Sequence, residues 1–161
     1  MLIHERSIHL TTFLVIVIGL FFVPYAFADV GNDVLAVVQK YGDTEGDLRT
    51  QAKLMRPDRV FISEGFRQTD EDKNMAIQLA TRQAWETHRG GKLKFITVIE
   101  DPVIRIYGNV AVASFVRVFF TFPHNMPPDP PGQSTWVTLV LVKEGGKWGI
   151  AHTHKSPVGS K

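Results

Sequence analysis

The chain has 161 residues, 44% of them hydrophobic, with 18 lysines and arginines against 16 aspartates and glutamates, a net charge of +2 and no cysteine. That length fits one domain able to bury a core by packing alone, and the lack of cysteine excludes disulfides, thiolate nucleophiles and cysteine-ligated metals. So small a charge surplus falls short of the clustered basic face of a nucleic-acid binder, and nucleic acid is not an expected partner.

Residues 1–28 read as a secretory signal peptide. Arg6 lies in the first stretch, residues 13–23 form an apolar run ended by Pro24, and Ala26 and Ala28 put small side chains before Asp29. The rival reading is a retained anchor, but a spanning helix needs about 20 apolar residues and this run is shorter. The expectation is therefore a domain of residues 29–161, periplasmic or secreted, with no membrane contact after cleavage. Asp33 is placed to cap a first helix with the stripe Val34, Leu35, Val37, Val38 and Tyr41. Residues 44–47 form a capping turn. A second, short helix carries Leu48, Ala52 and Met55 on one face and stops at Pro57. Residues 60–63 read as a short strand closed by Gly65. Thr69 and Asp70 open a third helix, with Met75, Ala76, Leu79 and Ala80 at helical spacing, and Gly90-Gly91 ends it. From Lys92 the pattern changes to strands. Residues 93–99 and 103–107 are interrupted by Glu100-Asp101-Pro102, a kink or bulge within one long strand. Gly108-Asn109 is a turn, residues 110–122 are the longest strand, and residues 123–134 are a proline-rich loop. A hairpin about Gly145-Gly146 completes the chain. Helices first and strands last indicate an α+β fold, with helices on one face of an antiparallel sheet.

Three segments carry a resemblance. Gly46-Asp47-Leu48 with Ala52, Leu54 and Pro57-Asp58-Arg59-Val60-Phe61 is similar to a helix-to-first-strand stretch. Residues 103–111 are similar to the turn before a central strand. Residues 138–156 are similar to a closing hairpin with a Gly-Lys-Trp turn and a His-x-His-x-Ser end. Together they resemble the nuclear transport factor 2-like superfamily, in its SnoaL-like and ketosteroid-isomerase-like branch; the ending is also similar to that of the association domain of calmodulin-dependent kinases. The resemblance implies a cone-shaped (cystatin-like) fold, N-terminal helices packed on a strongly bent sheet, with a pocket suited to a small apolar ligand. It also implies a homodimer joined through the sheet. Steroid isomerisation on this fold uses a carboxylate base, a tyrosine and a buried acid. The matching positions hold Ser63, Gln39 and Thr138, so that catalytic set is missing. Glu64 is the remaining catalytic candidate; on a flat strand it would point away, and a bulge would bring it back.

The hairpin register sorts the rest. A two-residue turn pairs Glu144 with Lys147; Leu141 then faces Ile150, Leu139 faces His152 and Val137 faces His154. One sheet face would carry Val137, Leu139, Leu141, Trp148, Ile150, His152 and His154, and its apolar character marks it as the dimer interface. The resemblance puts Thr138 on the cavity side, so the expected pocket comprises Gln39, Ser63, Arg117, Trp136, Thr138, Ala151 and Thr153. Arg117 meets either an anionic ligand group or a structural carboxylate such as Glu100 or Asp101. His152 and His154 share a strand face, but a catalytic zinc needs a third ligand and no acid lies near in sequence; no metal and no cofactor are expected. The expected function is binding of a small apolar molecule, with an isomerase, dehydratase or cyclase acting on it as the catalytic form. The alternative is a non-catalytic oligomerisation module.

Overall fold

The computed structural model describes residues 23–124 and 132–159. Residues 1–22, most of the expected signal peptide, and residues 125–131 of the proline-rich loop lie outside the described residues. Residues Asp33–Lys161 form one compact unit, and the segment ending at Asn32 is a separate one.

Helix α1 spans Val23–Asp43. Asp33 is therefore not its cap: nothing between Gly31 and Asp33 blocks the helical backbone, and the Asp33 carboxylate instead meets Lys143 Nζ at 3.7 Å. Val34, Val38 and Tyr41 are the buried stripe, spaced so that one helical face meets the sheet. Helix α2, Leu48–Ala52, is capped by Asp47, whose Oδ1 accepts from the Thr50 N–H at 3.0 Å. It is shorter than expected. Met55 already belongs to strand β1 (Met55–Ser63), because the residue before Pro57 is biased toward extended backbone. The sequence pattern also missed β2, Phe66–Gln68. It pairs back on β1 through a tight turn with Glu64 at φ 50° and Gly65 at φ 81°. Helix α3, Glu71–His88, begins and ends as its residues dictate. Asp70 Oδ1 accepts from the Lys73 N–H at 3.0 Å, and Gly90 turns to φ 72° at the far end.

Strands β3 (Lys94–Tyr107), β4 (Val110–Phe122), β5 (Gln133–Glu144) and β6 (Lys147–Pro157) complete a six-stranded sheet ordered β2-β1-β6-β5-β4-β3. The fold is α+β, helices on a sheet, as the order of elements implies. The sheet is mixed rather than antiparallel throughout, because β1 pairs with β6 in parallel. Those two neighbouring strands are far apart in sequence, and the intervening chain supplies the long crossover a parallel pair requires. The bulge expected at Glu100-Asp101-Pro102 is present: the β3–β4 register shifts between Glu100 and Val103, and Asp101 has φ 49°.

A second bulge corrects the expected faces of the hairpin's last strand beyond Ile150. Glu144 pairs with Lys147 and Leu141 with Ile150, but then His152 pairs with Val140, Thr153 with Leu139 and Lys155 with Val137. Ala151 is the extra residue. Counting straight through the strand misses it, so alternation inverts beyond Ile150. The helix-facing side carries Ala111, Ala113 and Phe115 from β4, Val137, Leu139 and Leu141 from β5, and Ile150 and Thr153 from β6, all at 0% exposure. With Val34, Val38 and Tyr41 these apolar residues form the core. Val137, Leu139, Leu141 and Ile150, expected at a dimer interface, are therefore interior residues of one chain. Trp148 packs partly buried against the same core. His152 and His154 do lie on the outer face, level with Val140 and Thr138.

Candidate functional site

The helix-facing side of the sheet changes character along β4. Ala111, Ala113 and Phe115 give way to Arg117 and Phe119. Arg117, 8% exposed, donates from Nη2 to Glu45 Oε1 at 3.1 Å, and its guanidinium stacks 4.3 Å from the Phe119 ring centroid. Its partner is thus neither Glu100 nor Asp101. Glu45 comes from the turn between α1 and α2, 7% exposed. The turn is pinned from both sides. Gln51 Nε2 donates to Tyr41 O at 2.7 Å and to Glu45 Oε2 at 3.2 Å; Arg82 of α3 donates to the Glu45 and Gly46 carbonyls at 2.8 and 3.1 Å.

Burial is the largest influence on the Glu45 carboxyl and would raise its pKa. The positive charges of Lys155 and then Arg117, with hydrogen bonds from Gln51 and Arg117, outweigh it and hold the group below its ordinary value. Glu45 is therefore a fixed anion, unsuited to taking up a proton near neutral pH. Lys155 stands at the other side of this pair. Its Nζ lies 5.8 Å from the Tyr41 ring and 5.7 Å from the Phe61 ring, between two aromatic groups.

Two cavities adjoin Arg117. One, of about 410 Å³, is lined by Phe61, Ser63, Glu64, Arg117, Thr135 and Lys155 among others. The β1–β6 register places Phe61 beside Thr153 and Ser63 beside Lys155, which brings the end of β1 to this cavity. The other, of about 210 Å³, lies under α3, where Leu48, Ile77, Trp85, Phe95 and Phe119 supply an apolar lining and Arg82 and Glu45 a polar one. Ile77 and Trp85 are 53% and 51% exposed, so the apolar rim of this smaller cavity faces solvent.

Of the expected pocket residues, Ser63 and Arg117 line the larger cavity. Thr153 is on the helix-facing side but fully buried below it, within 3.5 Å of Arg59 Nη1. Gln39 is exposed on α1, one position past buried Val38. Trp136 and Thr138 share the outward parity of β5, and Trp136 is 46% exposed. Ala151 is the bulge residue itself. These four do not form the pocket: Trp136 and Thr138 lie on the side of β5 opposite to the one the resemblance implied, because Val137, Leu139 and Leu141 take the core side, and the bulge exchanged faces only in β6 beyond Ile150. Glu64, expected to need a bulge, reaches the cavity lining because the β1–β2 turn holds it at positive φ. Sequence reasoning missed Glu45, Thr135 and Lys155. Glu45 reads as one more turn residue, and its partner lies 72 positions away. Lys155 becomes inward-facing only through the bulge. Among the described residues no three His, Cys, Asp or Glu side chains gather as a metal site would require. Among them, too, no helix is long and apolar enough to cross a membrane.

Helices packed on a six-stranded mixed sheet, in the order seen here, are the cystatin-like architecture of nuclear transport factor 2-like proteins. An ntf2-like protein with a cystatin-like fold from Novosphingobium aromaticivorans superposes with a TM-score of 0.67 at 11% identity, over 85% of this chain and 87% of that one. The hub homology domain of calmodulin-dependent kinase II from Chlamydomonas reinhardtii gives 0.65 at 20% identity, over 81% and 99%. The association domain of the Caenorhabditis elegans kinase gives 0.62 at 18% identity, over 80% and 96%. At such identities these likenesses show the fold alone. The family model described as the SnoaL-like domain matches residues 34–160, and the chain belongs to that family. No curated protein matches the sequence.

Proposed function

We propose that this protein is an exported SnoaL-like domain that binds a small molecule in the cavity between the end of β1 and the Arg117 region of β4. The observation that carries the reading is the cavity itself. At about 410 Å³ it is within the range of small-molecule sites, and aromatic, hydroxyl and charged groups converge on it. Its lining is more polar than the apolar ligand expected from the resemblance would need. The steroid-isomerase groups are missing: Ser63 stands where that chemistry has its base. Glu64 is the ionisable carboxylate on the lining, so turnover such as isomerisation, dehydration or cyclisation would rest on it. Native mass spectrometry of the purified protein tests the reading. A co-purified small molecule, lost when Ser63→Trp fills the cavity, is the expected result. A protein that retains no small molecule and takes up none from a cell extract overturns it.

A second reading, a dimerising module, is favoured by a different observation. Ile96, Val98, Val103, Tyr107 and Trp136 are between 41% and 66% exposed and share the outer side of the sheet. Two sheets meeting on that side would cover them. The two readings are compatible, since the cavity and the outer face lie on opposite sides of β4 and β5. Export to the periplasm or medium would follow from cleavage after Ala28, which N-terminal sequencing of the secreted protein checks.

A further inference from the structure

The charges around the larger cavity do not balance. Glu45 is the buried anion. Arg117 and Lys155 face the cavity as two cations; Arg82 lines the smaller cavity instead, beside Glu86 and Asp47. Arg59, the remaining inward cation nearby, is already matched by Glu71, which takes Nε at 2.8 Å and Nη2 at 3.2 Å. Lys155 has no carboxylate within ion-pair distance among the described residues and rests on aromatic faces instead. Arg117 gives Nη2 to Glu45, while its Nε is buried with no acceptor. A buried donor of a charged group left without an acceptor is costly, and its presence beside a cavity calls for an occupant. Glu64 is the other carboxylate on the lining, but it sits exposed in the β1–β2 turn, where solvent screens it.

From this we propose that the occupant is an anion, specifically a small organic carboxylate whose charged group lies between Lys155 and Arg117. Its remaining polar atoms would meet the hydroxyls of Ser63 and Thr135, and its apolar part the Phe61 ring. The proposal deepens the small-molecule reading and rests on it. Carboxylate is favoured over a multiply charged phosphate because Glu45 already neutralises one of the cations. It is favoured over a neutral ligand because Glu45 is a single charge shared between Lys155 and Arg117, which leaves one positive charge of the lining unmatched. Arg117 and Lys155 are here binding residues; no step of a reaction is assigned to them.

Calorimetric titration with matched probes tests this: acetate against acetamide and benzoate against benzamide, with wild-type protein and Lys155→Gln. The wild type should prefer each acid over its amide by about tenfold or more, and Lys155→Gln should lose most of that preference with its thermal midpoint little changed. Lys155 rather than Arg117 is varied because Arg117 also anchors Glu45. The comparison of acid with amide on the wild type alone stands even if the variant folds poorly. Equal binding of acids and amides would overturn the anion assignment and leave the small-molecule reading standing, as would a neutral co-purified ligand in native mass spectrometry. Failure of all four probes to bind the wild type would overturn the assignment, while a co-purified molecule retained at the same time would keep the broader reading.

Discussion

Glu45 and Arg117 hold each other at 3.1 Å, with side chains 9% and 10% exposed. Removing one partner strands the other. Glu45→Ala should cost about 3–5 kcal/mol in chemical unfolding, and the double variant Glu45→Leu with Arg117→Met should recover much of that. The pair also sets a pH dependence. The Glu45 carboxyl is held below its ordinary value of 4.5 in the folded protein. A depressed carboxyl pKa contributes stability that is full above the unfolded value and lost as pH falls through the folded one. The gap in unfolding free energy between wild type and Glu45→Gln should therefore be widest near neutrality and close below about pH 4.5. Denaturant midpoints on either side of that pH measure it; a gap that stays constant would contradict the account. None of this is legible locally. Thr44-Glu45-Gly46-Asp47 announces a turn and nothing more, since a charge pair spanning 72 residues depends on register that no local pattern encodes.

Elements were far more legible than pairings. Helix α3 could be delimited by Asp70 and Gly90, and β4 by Gly108-Asn109 and Pro123, because capping and turn chemistry act within a few residues. The bulge at Asp101 was readable because Pro102 cannot continue a ladder. The bulge at Ala151 has no such mark. Gly149-Ile150-Ala151-His152 carries neither a proline nor a positive-φ residue to mark it, and the extra residue shows only in the pairing of β6 with its neighbours β5 and β1. The Leu139 side chain separates a core role for its sheet face from an interface role experimentally. Placed at 0% exposure against the α1 stripe, Leu139→Ala should cost about 2–5 kcal/mol in unfolding experiments and leave the association state unchanged. An interface role would instead weaken association while sparing the isolated chain.

At the scale of the molecule, the sheet divides two tasks. Its helix side holds the core and the cavity; its outer side holds exposed apolar residues that a solvated monomer has no use for. If two copies meet on the outer face, Trp136→Glu combined with Val98→Lys should shift the protein to a monomer in size-exclusion chromatography with light scattering, while leaving ligand uptake intact. A wild type that is already monomeric at micromolar concentration would end the dimer reading. The surplus residue in β6 bears on how such a sheet can change over generations. Deleting Ala151 would let Ile150 and His152 follow one another opposite Leu141 and Val140, a regular ladder with Lys155 still turned inward. Relocating the surplus to the end of the strand would turn His152 and His154 toward the helices and Lys155 away. In β6, then, a change in where one extra residue is accommodated, with no substitution at all, would replace a cationic cavity wall by an imidazole one.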